Sequence, residues 1–233
     1  AYEMLRSLVG SKMCIRDRVA DTETGGLPSK GGKGKPAKKA FVDVALCEIA
    51  LVVVDLWEMK IVEEYDAIIA PYAEGLEYNP NAEAVHGLSV AHLTQNGQDI
   101  KDVYLATKTY LKKYANSKIG AVLAGHNFQL FDIPFFEEMF AFCKDNLWDY
   151  VKFVEDTMKM AWYRAEEQEN YKLGTCCRQE GVELVDAHRA LHDTRANALL
   201  FLKYIAALRG TGAAAQTAPT QRKSRFRETF QLV

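Results

Sequence analysis

Residues 19–28, V-A-D-T-E-T-G-G-L-P, hold two acids at alternating positions between an apolar segment and a glycine-rich turn. The apolar residues before Asp21 predict the end of a buried strand, and Gly25 and Gly26 predict the turn that follows it. Successive side chains of a strand point to opposite faces, so Asp21 and Glu23 should share one face. Such a pair can reach a single metal ion, and the alternative is a solvated strand end.

Two later segments carry further acids together with histidines. The run A-G-H-N-F-Q-L-F-D-I-P-F-F at 124–136 places Asp132 shortly before a proline, where it is either a helix N-cap or a metal ligand. The run A-H-R-A-L-H-D-T-R at 187–195 places His188 five residues before Asp193. Side chains five apart on one helix would point about 140° from each other, so we place His188 on a loop before the helix that Asp193 begins.

Four acids from three distant segments are sufficient to hold two divalent metal ions. Oxygen ligands suit Mg²⁺ or Mn²⁺, and Mg²⁺ typically binds through a few carboxylates together with phosphate oxygens of a substrate. Two ions about 3.5–4 Å apart can stabilise both the attacking and the leaving oxygen of an in-line displacement. An imidazole beside them can accept a proton at neutral pH. The pattern therefore favours metal-dependent cleavage of a phosphodiester.

The three runs occur in the order and local context of the DEDDh 3′–5′ exonucleases, the DnaQ-like proofreading and RNase T group. The chain resembles this family from about Val19 to about Leu208, and the histidine five residues before the last acid is typical of the subgroup. The resemblance implies that two Mg²⁺ or Mn²⁺ ions are held by Asp21, Glu23, Asp132 and Asp193, with His188 as general base. It implies substrate contacts from Thr24, Leu27, Asn127 and Phe131, with Phe128 as an alternative stacking residue. For Leu27 and the two phenylalanines, ordinary core packing is the competing interpretation.

The family resemblance also implies an activity and partners. The expected reaction is hydrolysis of a 3′ end to nucleoside 5′-monophosphates. DNA, in proofreading or repair, is favoured over RNA, although the same metal site serves both and the sequence does not decide between them. The expected partners are a single-stranded or frayed 3′ end of DNA or RNA, and a DNA polymerase. The alternative is a non-catalytic subunit of the same fold that binds nucleic acid or a polymerase. All five site residues are present, which favours the enzyme.

The order of apolar segments predicts an α/β fold of the ribonuclease H-like type, a mixed central sheet with an antiparallel meander and parallel strands, flanked by helices. We expect strands over residues 42–55, 60–71, 119–124 and 153–156, with a hairpin connection at 57–60. We expect helices over residues 89–95, 100–114, 135–143, 158–168, 173–179 and 194–209.

Composition narrows the class of protein. The 233 residues are 48% apolar, enough for one substantial core, and the formal charge of −2 gives no general attraction to nucleic acid. The five cysteines show no metal-binding spacing, which favours a reduced environment and a cytoplasmic, nucleoid or nuclear location rather than secretion. No apolar run approaches the roughly 20 residues of a membrane span, so we expect no membrane partner.

Three segments depart from the rest in composition. Residues 19–209 form the predicted exonuclease domain, and 210–233 are expected to be a disordered basic tail. The lysine-rich loop at 29–39 is either a basic surface for phosphates or a passive insertion. Residues 1–18 are atypical, because Arg16, Asp17 and Arg18 would place three charges in a central strand. The run at 7–18 also resembles a translated sequencing-adapter remnant. We therefore infer that this segment is non-native. The alternative is a genuine strand whose charged end protrudes into solvent.

Overall fold

Five strands form one mixed sheet in the computed structural model, which describes residues 16–29, 31, 37–116, 120–164, 168–185 and 187–210. The strands are β1 (Arg16–Thr24), β2 (Leu46–Asp55), β3 (Lys60–Ile68), β4 (Ala121–Gly125) and β5 (Val151–Asp156). Their order across the sheet is β3-β2-β1-β4-β5. Strands β1, β2 and β3 are antiparallel neighbours, whereas β4 runs parallel to β1 and β5 runs parallel to β4. The predicted mixed sheet is confirmed, and it places β1 at its centre.

Seven helices flank the sheet in the described part of the chain. They are α1 (Pro80–His86), α2 (Val90–Asn96), α3 (Ile100–Lys113), α4 (Ile133–Phe142), α5 (Thr157–Arg164), α6 (Leu173–Glu180) and α7 (Ala190–Leu208), with a short 3₁₀ turn at Leu147–Asp149. The Ser89 hydroxyl accepts a hydrogen bond from the backbone N–H of His92, so α2 begins with the predicted serine cap. None of the helices described is both long enough and apolar enough to cross a membrane.

The two faces of the sheet pack against different helices. On one face, Ala20 and Ile49 join a large cluster with residues of α3 and α4, including Phe136. On the other face, Val19 and Val52 join Phe201 and other residues of α7. Strand side chains alternate between faces, so Asp21 and Glu23 project on the Val19 side toward α7, and Thr22 projects on the Ala20 side toward α4.

Several elements differ from those expected; for example, β3 ends at Ile68 rather than at 71, and β5 begins at Val151 rather than at 153. Strand β2 begins at Leu46 rather than at 42, because residues 41–43 form a turn in which Phe41 has a φ of 65°. Helix α1 was not predicted; it is short, and its limits come from the Asn79 cap and the left-handed Gly87 rather than from apolar periodicity. Helix α7 begins at Ala190, so Asp193 lies within its first turn rather than at its first residue. The C-terminal part of the predicted helix at 158–168 and the tail at 211–233 lie outside the described residues.

The charged start of β1 is buried rather than protruding. Asp17 is 5% exposed and Arg18 is 1% exposed, and both belong to the central strand. The Arg18 guanidinium donates hydrogen bonds to the backbone carbonyls of Tyr110, Leu111 and Arg16 at 2.8–3.2 Å, and so binds the C-terminal turn of α3. Burial lowers the pKa of Arg18 to about 10 and raises that of Asp17 to about 6. The strand thus begins before residue 19, with two charges held out of water.

Replacing Asp17 with asparagine should stabilise the protein at neutral pH. The pKa of Asp17 is raised from 3.8 to about 6, so its contribution to stability is present below pH ~4 and lost as the pH rises through ~6. Removing the buried charge should raise the melting temperature at pH ~7.5 by roughly 5 °C, equivalent to about 2 kcal/mol. Thermal unfolding at pH ~4 is the comparison: the advantage should disappear there, and an equal gain at both values would contradict the assignment.

Candidate metal centre and active site

Three carboxylates from β1 and α7 meet at the C-terminal end of the central strand. One oxygen of each of Asp21, Glu23 and Asp193 lies within 4.8 Å of the other two. The pairing arises because β1 directs its alternate side chains toward α7, and the first turn of α7 returns Asp193 over the C-terminal end of that strand. Among the described residues, this is the group of acids whose spacing could hold a metal ion.

Asp132 approaches the same region from the opposite layer. Its carboxylate is 1% exposed, and its Oδ1 accepts a hydrogen bond of 2.5 Å from the Thr22 hydroxyl. Asp132 occupies the N-cap position of α4 but makes no side-chain capping bond there. It lies outside the group of three acids because α4 packs on the other face of β1, the face of Thr22. Its negative charge nevertheless raises the pKa of Asp21.

Burial is the main reason that the pKa values of all four candidate ligands are raised, and neighbouring carboxylates add to the shift. Burial and then the neighbouring carboxylates raise the pKa of Asp21 well above its usual range. Burial, Asp193 and Glu48 raise the pKa of Glu23 to about 8. Burial also raises the pKa values of Asp132 and Asp193. Like charges this close favour protonation unless a cation compensates them, so the cluster is suited to a divalent ion.

The loop before α7 places His188 beside Asp193, as predicted. His188 is exposed and its backbone N–H donates to Asp193 Oδ2 at 3.1 Å. The other oxygen, Asp193 Oδ1, is buried and has no hydrogen-bond partner within the described residues. A buried carboxylate oxygen without a partner is costly unless something else binds it. Together with the all-oxygen donor set, this open position fits Mg²⁺ or Mn²⁺.

Two clefts flank the carboxylates and separate the predicted substrate residues. One, of about 860 Å³, is lined by Glu23, Thr24, Leu27 and Phe131. The other, of about 850 Å³, is lined by Asn127, His188 and Asp193. Each cleft therefore contains one acid of the cluster, Glu23 in the first and Asp193 in the second.

The predicted substrate residues differ in how far they are available. Leu27 is 71% exposed, and Phe131 is partly exposed. Thr24 is buried and donates to the Gly26 carbonyl at 2.8 Å, so its hydroxyl shapes the turn. Phe128 is fully buried and packs against Phe136 with ring centroids 5.8 Å apart, which excludes it as a stacking platform.

Lys38 of the lysine-rich loop and His126 each line a cleft and are held by hydrogen bonds. Lys30 and residues 32–36 lie outside the described residues. Lys38 lines the first cleft, but its ammonium group donates to Glu77 Oε2 at 2.6 Å. The ring nitrogens of His126 lie 2.9 Å from Thr157 Oγ1 and 2.8 Å from the Tyr171 carbonyl, which fixes the loop before Asn127.

Comparison with known proteins assigns the family. The sequence model of the RNase T type, described as exonuclease, matches residues 19–201. The chain belongs to this exonuclease family. The match confirms the DnaQ-like resemblance and covers the three motifs that contribute the acids and His188.

Curated relatives of this exonuclease are much longer proteins. The chain is 31% identical over 113 residues to a PolC-type DNA polymerase III from Caldanaerobacter subterraneus subsp. tengcongensis, covering 48% of the chain and 8% of that relative. It is 38% identical over 52 residues to the Bacillus subtilis PolC-type DNA polymerase III, covering 22% of the chain and 4% of the relative. The chain thus spans less than a tenth of the length of these polymerases.

Solved structures with the same fold include two further exonucleases. Escherichia coli exonuclease I in complex with single-stranded DNA gives a TM-score of 0.64 at 16% identity, covering 83% of this chain and 41% of that one. Exonuclease X in complex with 5′-overhanging duplex DNA gives a TM-score of 0.52 at 23% identity, covering 83% of this chain and 92% of that one. These likenesses confirm the ribonuclease H-like architecture of the exonuclease domain.

Sequence reasoning missed one charged residue that contacts the site. Glu48 lies inside β2, is 0% exposed and is paired in register with Glu23. Its carboxylate accepts hydrogen bonds from the Arg189 side chain and from the Ala190 backbone N–H, at the residues that begin α7. A lone glutamate within the apolar run L-C-E-I-A-L-V-V-V was the available signal, because a charge in a buried strand requires a partner.

Proposed function

We propose that this exonuclease hydrolyses nucleic-acid 3′ ends to nucleoside 5′-monophosphates, with DNA preferred to RNA, and that it requires a divalent metal. The meeting of Asp21, Glu23 and Asp193 within 4.8 Å, beside His188, carries the proposal. The family supports nuclease chemistry, and the solved structures of similar fold include exonucleases bound to single-stranded DNA and to 5′-overhanging duplex DNA. A DNA polymerase is a candidate partner because curated relatives are PolC-type polymerases.

The proposed roles follow from position and chemistry. Asp21, Glu23 and Asp193 would bind metal, and Asp132 would complete the set from the other face of β1. Two bound Mg²⁺ or Mn²⁺ ions would supply charge stabilisation for the attacking and leaving oxygens. The exposed imidazole of His188 would take the proton from the attacking water. Leu27, Asn127 and Phe131 would contact the terminal nucleotides from the two clefts, and Thr24 would support them by shaping the turn before Leu27.

A comparison of end-labelled oligonucleotides tests the proposal. Matched single-stranded DNA and RNA, labelled at either end, are incubated with the protein in Mg²⁺ and in EDTA. We expect release of labelled mononucleotides from 3′-labelled DNA, slower release from RNA, and none in EDTA. Products from the 5′ end would contradict the polarity. Binding of oligonucleotide without any mononucleotide release would instead favour the non-catalytic subunit.

Replacing Leu27 with serine should weaken substrate binding while leaving the fold intact. Leu27 is 71% exposed in the cleft that contains Glu23, so its apolar surface is available to a terminal base. Loss of that contact should raise KM for single-stranded DNA about five- to tenfold, equivalent to roughly 1 kcal/mol, with little change in kcat. Leu130→Ser is the control, since Leu130 is 81% exposed and does not line that cleft. Equal KM values for the two variants would remove Leu27 from the substrate contacts.

A further inference from the structure

Glu48 is a buried charge placed directly beside the carboxylate cluster. All ten residues of β2 are buried, and the Glu48 side chain is fully enclosed. Its register partner on the neighbouring strand is Glu23. A buried carboxylate next to other carboxylates is expensive, so its retention requires compensating partners.

Both oxygens of Glu48 are occupied by the segment that begins α7. Arg189 Nη2 donates to Oε1 at 2.7 Å, and Arg189 Nε lies 3.3 Å from each oxygen. The Ala190 backbone N–H donates to Oε2 at 2.9 Å. These contacts fix the guanidinium of Arg189, the residue that directly follows His188. Without them the guanidinium would be free to move, because the Arg189 side chain is 42% exposed.

The guanidinium has other carboxylates within reach of its charge. Burial raises the pKa values of Glu23 and of Asp66 on β3, and the positive charge of Arg189 opposes both increases. Glu23 is also the register partner of Glu48, the residue that binds Arg189. An arginine keeps its charge at all working pH values and pairs readily with carboxylates through two hydrogen bonds. If Arg189 paired with Glu23, it would occupy the oxygen positions that a metal ion needs.

We propose that Glu48 is a positioning residue that holds the Arg189 guanidinium away from Asp21, Glu23 and Asp193, which keeps their oxygens free for metal. This role rests on the proposed function, because it presumes that the cluster binds divalent ions. It differs from a purely structural role in one respect. The defect caused by losing Glu48 should come from the released arginine, so removing the arginine as well should correct it.

Binding of Mn²⁺ to the full chain without nucleic acid tests this role. Free Mn²⁺ is measured by electron paramagnetic resonance for the wild type, Glu48→Gln, and Glu48→Gln combined with Arg189→Gln. We expect Glu48→Gln to weaken Mn²⁺ binding about tenfold, the usual scale for residues that support metal ligands. The double variant replaces the ion pair by two amides of similar size and should bind within about twofold of the wild type. Circular dichroism establishes that each variant is folded.

The controls separate this role from the function on which it rests. Glu64→Gln breaks a comparable pair, in which Arg195 Nη2 donates to Glu64 Oε2 at 2.6 Å outside the cluster, and should leave Mn²⁺ binding unchanged. Unchanged Mn²⁺ binding in Glu48→Gln, as expected if Asp66 captured the arginine, would overturn the role of Glu48 but not the metal centre. Mn²⁺ binding as weak in the double variant as in Glu48→Gln would do the same. Absence of wild-type Mn²⁺ binding would overturn the metal centre itself. If Glu48→Gln does not fold, Arg189→Gln alone should bind Mn²⁺ at least as tightly as the wild type, and weaker binding would overturn the role.

Discussion

Replacing Asp21 with asparagine is expected to abolish mononucleotide release in Mg²⁺ while making the metal-free protein more stable. The two effects share a cause, because burial and four neighbouring acids raise the pKa of Asp21 well above its usual range. The ionised Asp21 carboxylate destabilises the metal-free protein, and the same carboxylate is the proposed metal ligand. Loss of a metal ligand removes several kcal/mol of transition-state stabilisation, so the rate should fall by roughly 10³-fold or more.

The stability effect should depend on pH in a defined direction. The pKa of Glu23 is raised from 4.5 to about 8, so the stability that this group contributes is complete below pH ~4.5 and lost as the pH rises to ~8. In EDTA, the melting temperature of the wild type should therefore decrease over this window, and Asp21→Asn should reduce the decrease. Mg²⁺ should raise the wild-type melting temperature most at pH ~8, where the ligands are ionised.

Asp149→Asn provides the matched control, because Asp149 is exposed and lies in the 3₁₀ turn away from the cluster. This variant should match the wild type in activity and in its response to Mg²⁺. An Asp21→Asn variant that retained near wild-type rates in Mg²⁺ would show that the carboxylates do not form the metal centre.

Replacing His188 with asparagine should lower kcat by about 10²–10⁴-fold with little change in KM, the usual contribution of a general base. Asparagine is preferred to alanine here because His188 has a φ of 72°, a left-handed conformation that asparagine tolerates. The backbone N–H that binds Asp193 is retained, so the position of the acid should not change. The rate deficit should shrink as the pH is raised, because hydroxide then becomes available without a base.

A pH profile of kcat and KM for His188→Asn and His92→Asn separates catalysis from structure. His92 is an exposed histidine on α2, and its replacement should leave both constants unchanged. A loss of activity that is equal at every pH and accompanied by loss of substrate binding would identify His188 as structural.

The positions of several candidate site residues were predictable because local rules govern them. Strand alternation placed Asp21 and Glu23 on one face, and helical geometry placed His188 on a loop before Asp193. The position of Asp132 on the opposite face was not predictable, because it depends on which layer α4 joins. The pairing of Glu48 was missed for a related reason. Its partner Arg189 is 141 residues away in sequence, and no local pattern indicates a pair of that separation.

The placement of Asp17 and Arg18 also depended on tertiary contacts. Three carbonyls near the end of α3 and within β1 accept hydrogen bonds from Arg18, which a reading of local polarity could not foresee. At this strand, contacts between distant segments outweighed the local preference. Helix α1 was missed for another reason, because local caps at its two ends set its extent and apolar periodicity does not.

The central position of β1 makes the site sensitive to chain length as well as to residue type. Asp21 and Glu23 face α7, whereas Thr22 between them faces Asp132 and α4. Inserting or deleting one residue in the strand before Asp21 would exchange these faces, pointing the acids into the layer of Phe136 and leaving Asp132 without its hydroxyl partner. Any replacement of the charged segment at the start of β1 must therefore keep the same number of residues. A change of one residue in the length of the strand should inactivate the enzyme even if every motif is kept.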